Sequence, residues 1–391
     1  MSNVYLIETL RTPFGSFGGS LADVPAPKLA APVMAKLLEK AGLQADAVDQ
    51  VIAGQVITGG AGQAPARQAM REAGIPDSAA ALTINKVCGS GLKAIMLGAD
   101  AIRLGDSDVV IAGGMENMSL APYALPAARY GMRMGDGKAV DLMVFDALTD
   151  PYTGRHMGQV AEERIKAHEI SREAQDEFAV DSYMRAQTAV ASGLFNGEIV
   201  PVVKRTRKGE VAVDKDEEPN QVNFERMHGL RTVFAKDGTI TAANASTIND
   251  GAAFSLLVSE AAVEKYGLKP RARLVSSATG SMHPDMFPDV PVLAIKRAIE
   301  KAGLTIGDIG RFEINEAFAA VTMIAMNELG LDRNKVNVNG GAVSIGHPVG
   351  ASGGRLVATL IPELERSGER YGLATLCIGG GEAVAAIFEK M

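Results

Sequence analysis

The chain contains a partial repeat of itself, and this repeat constrains the fold more strongly than any other feature of the sequence. Residues 39–43 (Glu-Lys-Ala-Gly-Leu) recur unchanged as residues 300–304, a separation of 261 positions. In both places the pattern predicts an amphipathic helix that ends at a glycine, because glycine readily adopts the left-handed backbone of a helix C-cap. A short apolar strand follows each time, at residues 51–53 and 312–314.

Two further matches occur in the same order at nearly the same separation. Ser90 and Gly91 correspond to Ser352 and Gly353, and the apolar strand at residues 109–112 corresponds to the one at residues 374–377. Each of these strands runs into a glycine-containing turn that ends in glutamate. Matches this far apart favour a duplicated domain over a solenoid, whose repeats are shorter. The alternative interpretation is a coincidence among patterns that are common in α/β proteins.

Short apolar strands alternate with amphipathic helices, which favours buried parallel or mixed sheets with helices on their faces. We therefore expect an α/β fold with two similar halves. Residues 1–120 and 250–270 would form the first half, and residues 271–391 the second. The segment 121–249 between them differs in character: it is helical from about residue 158 to 192 and charged around 205–218. We expect an inserted loop domain there, since long insertions often cover binding sites.

Composition excludes several classes of protein. With 39 basic and 46 acidic side chains the net charge is −7, which argues against a nucleic-acid partner or an anionic membrane surface. Two cysteines cannot form a disulfide framework or a cysteine zinc cluster, so any role for them is as thiols. The amino terminus lacks the features of a signal peptide, and no apolar run approaches the roughly 18 residues of a membrane span. These features predict a protein of the reducing cytoplasm.

Cys88 follows a strand-like run and precedes a stretch that favours a helix. A cysteine at the amino terminus of a helix is a candidate nucleophile, because the helix dipole and the free N–H groups favour its thiolate. Those N–H groups can also stabilise an oxyanion. The alternative is a small buried side chain, which is the usual fate of a free cysteine.

Three other residues are candidates for the same chemistry. His347 lies between Gly346 and Pro348 on a loop that leads into a helix, so it could act as the general base of a cysteine or be an exposed loop residue. Cys377 ends a buried-type strand, where it could react or only pack in the core. Asn315 follows another strand, where it could orient a water or cap the next helix.

Residues 89–94 (Gly-Ser-Gly-Leu-Lys-Ala) also fit a loose dinucleotide-binding fingerprint. That fingerprint requires an acidic residue at the end of the next strand, about 20 residues further on. Here Asp106 and Asp108 precede the strand instead. A nicotinamide-dependent dehydrogenase is therefore a weak alternative.

Taken together, these motifs resemble the thiolase family, from residue 4 to the last strand. The segments that carry the resemblance are residues 83–94, 339–355, 315–318, 377–382, 11–15, 63–69, 244–246 and 249–252. The resemblance implies two duplicated α/β halves stacked as αβαβα layers, with an inserted loop domain. It also implies acyl-CoA thioesters as substrates, with no metal and no separate cofactor.

The resemblance assigns a role to each candidate. Cys88 would be the nucleophile that is acylated, His347 would take its proton, and Cys377 would exchange a proton with the α-carbon of a second acyl-CoA. One oxyanion site would use the backbone N–H groups of Cys88 and Gly379. The other would use His347 and a water held by Asn315.

Within the family, His156 followed by Met157 and Gly158 is similar to the biosynthetic enzymes, which condense two acetyl-CoA into acetoacetyl-CoA and CoA. On its own, His156 would be an ordinary polar residue at a helix start. The resemblance places it at the substrate. The residues expected along the pantetheine arm of CoA are Leu148, His156, Met157, Phe234, Ala242, Ser246 and Phe318.

Two segments depart from the family pattern. Biosynthetic members carry an arginine and a serine around the adenosine in the segment that matches residues 216–231, but here that segment is a residue shorter, so those contacts cannot be assigned. Residues 287–291 (Phe-Pro-Asp-Val-Pro) replace the usual Met-Gly-x-Gly-Pro. Phe287 is therefore expected near the acyl pocket, where it leaves the acyl preference open.

Two other classes compete with this interpretation. A β-ketoacyl synthase would pair one cysteine with two histidines, or with histidine and asparagine, and would not need Cys377. A non-catalytic CoA-binding protein would lack a catalytic residue, whereas all four candidates are present. The resemblance further implies a homodimer or homotetramer, with residues 123–141 as a candidate tetramer contact.

Overall fold

The structure is a computed structural model that describes residues 3–207 and 209–391. Its strands are β1 (Val4–Arg11), β2 (Gly15–Ser16), β3 (Gln50–Gly54), β4 (Ala80–Ile84), β5 (Val109–Asn117), β6 (Tyr123–Ala124), β7 (Val140–Asp141), β8 (Val202–Thr206), β9 (Gly209–Val213), β10 (Asn249–Ser259), β11 (Ala272–Ser281), β12 (Ile309–Ile314), β13 (Tyr371–Ile378) and β14 (Glu382–Lys390). Its α-helices are α1 (Ala26–Ala41), α2 (Pro65–Glu72), α3 (Ser90–Leu104), α4 (Met157–Ala167), α5 (Arg172–Ala191), α6 (Phe224–Met227), α7 (Glu260–Tyr266), α8 (Val290–Ala302), α9 (Ala319–Leu329), α10 (Ala342–Ile345) and α11 (Ser352–Ser367).

Within the described residues, the main sheet has the strand order β12-β13-β14-β11-β1-β10-β5-β3-β4, with β2 paired to β10. In the first half, β10 lies antiparallel between β1 and β5, and β5 is parallel to β3. In the second half, β14 lies antiparallel between β11 and β13, and β13 is parallel to β12. The two halves meet where β1 and β11 pair antiparallel. The duplication predicted from the repeat is thus present in the sheet.

The second half is shorter than the first by one strand. In the first half β4 continues the sheet beyond β3, in parallel. In the corresponding place beyond β12, a single parallel bridge joins Phe312 to Val336. The chain there instead forms the loop that leads to α10 and His347.

The helices and sheet segments form five layers. One apolar core lies between α1, α2 and the first-half strands, and another between α8 and the second-half strands. A third core contains α3 and α11 between the two sets of strands, with Leu92 and Leu356 among its fully buried residues. Side chains of β5 alternate between the first and the third core, as expected for a strand that is buried on both faces. This is the expected αβαβα arrangement.

The repeated features of the sequence mark equivalent helix ends. α1 and α8 both end at a left-handed glycine, Gly42 with φ 65° and Gly303 with φ 66°. The helices α3 and α11, which begin with the repeated Ser-Gly pair, approach each other closely. A Cβ on Gly91 would lie 2.8 Å from the backbone nitrogen of Gly354. This contact brings the turn before α3 next to the loop before α11.

Buried charges attach the segment between β7 and β10 to the first half. Arg11 on β1 donates to Glu198 at 2.7 Å and forms a two-pronged pair with Asp216 at 2.7 and 2.8 Å. All three side chains are fully buried. The charged stretch expected around residues 205–218 therefore ends in a structural anchor. The division at residues 120, 249 and 270 stays a prediction.

Among the described residues, no helix combines the length and the apolar character needed to cross a membrane.

Candidate active site

A cavity of about 310 Å³ lies where the two halves and the inserted segment meet. Its wall is largely apolar, and it contains eleven of the residues singled out in the sequence. Those eleven are Cys88, Leu148, His156, Met157, Phe234, Ser246, Phe287, Phe318, His347, Cys377 and Gly379. The cavity therefore brings together both cysteines, the candidate base and most of the expected substrate contacts.

The turn that carries Cys88 is held in a strained conformation. Val87 has φ 45°, which is rare for a β-branched residue and persists only where neighbouring contacts enforce it. Ser90, the first residue of α3, supplies those contacts: its hydroxyl donates to the Val87 carbonyl at 2.7 Å and accepts from the Lys86 N–H at 2.8 Å. The strain points to a conformation kept for function rather than for stability.

Cys88 lies just before α3, as expected, but burial outweighs the favourable effect of the backbone N–H groups on its thiolate. Burial raises the pKa of the Cys88 thiol to about 11, and the nearby Glu116 carboxylate adds to the rise. The backbone N–H groups of Gly379 and Cys88 hydrogen-bond the sulfur and lower the pKa only in part. Cys88 also lies two residues before the first residue of α3, outside the helix itself. At neutral pH Cys88 is therefore a thiol, and a nucleophilic role for it would need a base.

The backbone of His347 is fixed by Asn249. The His347 N–H donates to Oδ1 of Asn249 at 2.8 Å. The preceding residue, Gly346, has φ 108°, and a Cβ there would lie 2.5 Å from the Asn249 side chain. Only glycine satisfies both conditions, because it tolerates this φ and leaves room for the amide.

The side chain of His347 is buried and neutral. Its Nδ1 lies 2.6 Å from the hydroxyl oxygen of Ser352, and that hydroxyl lies 3.0 Å from the Pro348 carbonyl. A carbonyl only accepts, so the hydroxyl donates to Pro348 and accepts from Nδ1–H. Nε2 is then the unprotonated nitrogen. Burial, together with the charge of Arg355, lowers the pKa of His347 to about 3, which keeps the ring free to accept a proton.

The second thiol lies in the same wall. Cys377, near the end of β13, is 1% exposed. Burial raises the pKa of its thiol well above the usual value, and the proximity of Cys88 raises it further. Gly379, two residues later, directs its N–H at the Cys88 sulfur. The end of β13 thus supplies both a buried thiol and a hydrogen-bond donor to the nucleophile.

Asn315 lies behind His347 rather than in the cavity wall. It is fully buried, and its Nδ2 is 3.5 Å from Nε2 of His347. Its Oδ1 has no hydrogen-bond partner among the described residues. A buried amide oxygen in this position is suited to hold a water next to Nε2.

His156 has both a structural and a lining position. As the N-cap of α4 its Nδ1 accepts from the Gly158 N–H at 3.1 Å, and Gln159 completes the capping box. Its ring also stacks on Phe234, with centroids 4.7 Å apart, and Phe234 meets Phe318 edge-to-face at 6.0 Å. Burial lowers the pKa of His156, so the ring is neutral and apolar toward the cavity.

Ala242 and Phe287 were also expected near the substrate, and the structure places them differently. Ala242 lines an adjoining open groove that shares Phe234 and Ser246 with the cavity. Phe287 lines the cavity itself and is 2% exposed. The sequence patterns did not assign a role to eight other lining residues, of which all but Thr247 are apolar: Met118, Ala147, Val233, Ala245, Thr247, Ile248, Ala317 and Val349.

Across residues 3–207 and 209–391, no three His, Cys, Asp or Glu side chains are grouped so as to hold a metal ion.

Known proteins match the whole chain. Residues 4–261 match the model of the thiolase N-terminal domain, and residues 268–390 match that of the thiolase C-terminal domain. An acetyl-CoA acetyltransferase of Cupriavidus necator is 50% identical over 392 residues, covering 100% of both chains. One of Pseudomonas aeruginosa is 50% identical over 387 residues, covering 98% of each.

The fold agrees with these matches. The crystal structure of the Bacillus anthracis acetyl-CoA acetyltransferase superimposes with a TM-score of 0.97 at 42% sequence identity, covering 100% of this chain and 99% of that one. The resemblance seen in the motifs and the fold that it implied are both confirmed. The chain belongs to the thiolase family.

Proposed function

We propose that this protein is an acetyl-CoA C-acetyltransferase, which reversibly condenses two acetyl-CoA into acetoacetyl-CoA and CoA. The observation that carries the proposal is the meeting of Cys88, His347 and Cys377 in one apolar cavity. Full-length relatives at about half identity bear the same activity in their names. A β-ketoacyl synthase, the nearest rival, would leave Cys377 without a role.

In the first half-reaction Nε2 of His347 takes the proton of the Cys88 thiol as the sulfur attacks the thioester carbonyl of acetyl-CoA. The tetrahedral oxyanion accepts hydrogen bonds from the N–H groups of Cys88 and Gly379. Collapse expels the CoA thiolate, which recovers the proton from His347. A neutral His347 suits both transfers, because it accepts a proton only while the sulfur attacks.

In the second half-reaction Nε2 of His347 takes the proton of the Cys377 thiol, and the resulting Cys377 thiolate takes the α-proton of a second acetyl-CoA. The enolate oxygen accepts hydrogen bonds from the Nε2–H of the now protonated His347 and from a water held by Asn315. The α-carbon attacks the acetyl group on Cys88, and the Cys88 sulfur leaves. The α-proton stays on Cys377, and the Cys88 sulfur takes its proton from His347, so the enzyme returns to its starting protonation state.

Around this chemistry, the apolar wall suits the pantetheine arm. Leu148, Met157 and Phe318 provide apolar contact, and Ser246 provides a hydroxyl. Ala242 in the adjoining groove extends the same path outward. We assign no further cofactor, because the proposed steps need only thiols, an imidazole and backbone donors. Both cysteines must stay reduced for these steps, which supports the reducing cytoplasm as the compartment we propose.

We further propose a homodimer or homotetramer. Residues 123–141 project from the body as a small hairpin, in which Tyr123 pairs with Asp141. Tyr130 is 84% exposed and Met134 is 97% exposed. Large apolar side chains presented in this way are typical of a subunit contact.

Steady-state thiolysis tests the proposed reaction. With acetoacetyl-CoA and CoA as substrates, we expect two acetyl-CoA per turnover and parallel double-reciprocal lines, the kinetic pattern of an acyl-enzyme intermediate. Intersecting lines, or no acetyl-CoA, would refute the proposal.

A further inference from the structure

Phe287 lies between two ion pairs that attach its loop to helix α4. Asp285 and Asp289, two residues before and two residues after Phe287, are each paired with an arginine close to that helix. We propose that these two pairs are specificity-determining: they hold Phe287 in the acyl pocket and so restrict the enzyme to short, unbranched acyl groups. This inference rests on the proposed function and deepens it.

The position of Phe287 makes it a wall of the acyl end of the cavity. It is 2% exposed and belongs to one apolar cluster with Cys377 and Phe318. Met157 packs against the same cluster. Since Cys377 is assigned to act at the α-carbon, a side chain packed beside it limits the room for the carbons beyond.

The first ion pair holds the entry to the Phe287 loop. Arg155 donates to Asp285 at 2.6 Å and to Glu163 of α4 at 2.6 Å. Arg155 directly precedes His156, the N-cap of α4 that lines the cavity. The loop is therefore attached at the point where the helix meets the substrate.

The second ion pair holds the exit of the loop and is more deeply buried. Arg164 donates through Nε and Nη2 to the two oxygens of Asp289, at 2.8 and 3.0 Å. Nε2 of His168 lies 2.6 Å from the same carboxylate. The Asp289 side chain is 13% exposed. A two-pronged, charge-assisted pair fixes direction as well as distance, so it orients the backbone beside Phe287.

A third contact ties the loop to the catalytic turn. The N–H of Met282 donates to the Gly381 carbonyl at 2.8 Å. Gly381 follows Gly379, whose N–H points at the Cys88 sulfur. Phe287 is thus fixed relative to both α4 and Gly379, the proposed oxyanion donor. Loosening the ion pairs would let its ring move away from the acyl group.

The test compares kcat/KM for thiolysis of acetoacetyl-CoA with that for 3-ketohexanoyl-CoA. We expect the ratio to fall at least about threefold in Asp289→Asn and by a smaller factor in Asp285→Asn, since a pocket difference of this kind is worth roughly 10- to 200-fold when complete. Phe287→Ala should give the largest fall. Adding Asp289→Asn to Phe287→Ala should then change the ratio no further, because the pair acts through that ring.

A matched control is Glu365→Gln. It removes an equally two-pronged pair, Arg271 with Glu365, which lies away from the cavity lining. Its ratio should equal that of the unmodified protein. If Asp289→Asn fails to fold, Arg164→Gln breaks the same pair from the helix side and carries the same expectation.

The outcomes separate this inference from the proposed reaction. An unchanged ratio in Asp289→Asn, an equal fall in Glu365→Gln, or a full effect of Asp289→Asn in the Phe287→Ala background would overturn the inference alone. A pure loss of folding stability would lower both rates together and leave the ratio unchanged, which also overturns it. If the unmodified protein does not thiolyse acetoacetyl-CoA, the proposed function fails and the inference falls with it.

Discussion

Nδ1 of His347 lies 2.6 Å from the hydroxyl oxygen of Ser352, and this contact determines which ring nitrogen is the base. Because the hydroxyl donates to the Pro348 carbonyl, it accepts from Nδ1–H and leaves Nε2 unprotonated. Ser352 is the first residue of α11, so the start of this helix fixes the tautomer of His347 on the loop that precedes it.

Ser352→Ala should therefore lower kcat by about 10- to 100-fold while KM changes little, since a positioned general base contributes about 10²- to 10⁴-fold and the misoriented ring keeps part of that. Stopped-flow acylation by acetyl-CoA measures the effect directly. The matched control is Ser276→Ala, which removes another buried hydroxyl bonded to a carbonyl, at 2.7 Å from Ala298. An unchanged acylation rate in Ser352→Ala would show that the serine only fills space.

The protonation of Cys88 predicts a pH dependence. Burial raises the pKa of its thiol to about 11, so the thiolate fraction rises about tenfold for each pH unit below that value. Alkylation by iodoacetamide needs the thiolate, so its rate should rise about tenfold per pH unit between about pH 7 and 9.5. Peptide mapping follows Cys88 specifically. A plateau near neutral pH would reveal a thiolate–imidazolium pair and contradict the assignment of a neutral dyad.

Acyl length is the third expectation. Since Phe287 and Met157 close the cavity, acetoacetyl-CoA should be thiolysed at least about tenfold better, by kcat/KM, than 3-ketohexanoyl-CoA. If Pro288 and Pro291 instead draw the loop away from the cavity, the pocket opens toward longer acyl chains. A series of 3-ketoacyl-CoA substrates of increasing length decides between them: a flat or rising profile would contradict a closed pocket and leave Cys88, His347 and Cys377 in their roles.

Assembly can be tested on residues 123–141. Replacing the exposed Tyr130 and Met134 together by glutamate should lower the mass seen by light scattering from that of a tetramer to that of a dimer, since charge in an apolar contact is costly. The unmodified protein provides the reference at the same micromolar concentration. A monomer mass for the unmodified protein would refute any oligomer.

Local patterns were enough to predict the duplicated fold. Gly42 and Gly303 end their helices through their own backbone conformation, which does not depend on distant residues. Apolar runs such as β5 likewise favour strands that are buried on both faces. The absence of a strand beyond β12 was not predicted from the sequence. A segment that forms one bridge, as at Val336, and a segment that forms a full strand look alike in local sequence. Pairing depends on distant partners, which periodicity does not show.

The candidate site, like the fold, was predictable from the sequence only in part. Motifs singled out the candidate side chains that the cavity brings together, but not their protonation, because burial depends on residues far along the chain. Cys88 is the clear case: its place before a helix suggested a thiolate, whereas desolvation makes it a thiol. The pair of Arg164 with Asp289 joins residues 125 positions apart and has no sequence signature.

The central claim is that Cys88 carries the acetyl group and Cys377 acts only at the α-carbon. Mass spectrometry of tryptic peptides after brief exposure to acetyl-CoA tests it most directly. We expect one acetyl group, on Cys88, in the unmodified protein; none in Cys88→Ser; and an accumulating Cys88 adduct without acetoacetyl-CoA in Cys377→Ser. An adduct on Cys377, or acylation lost equally in both variants, would contradict the account.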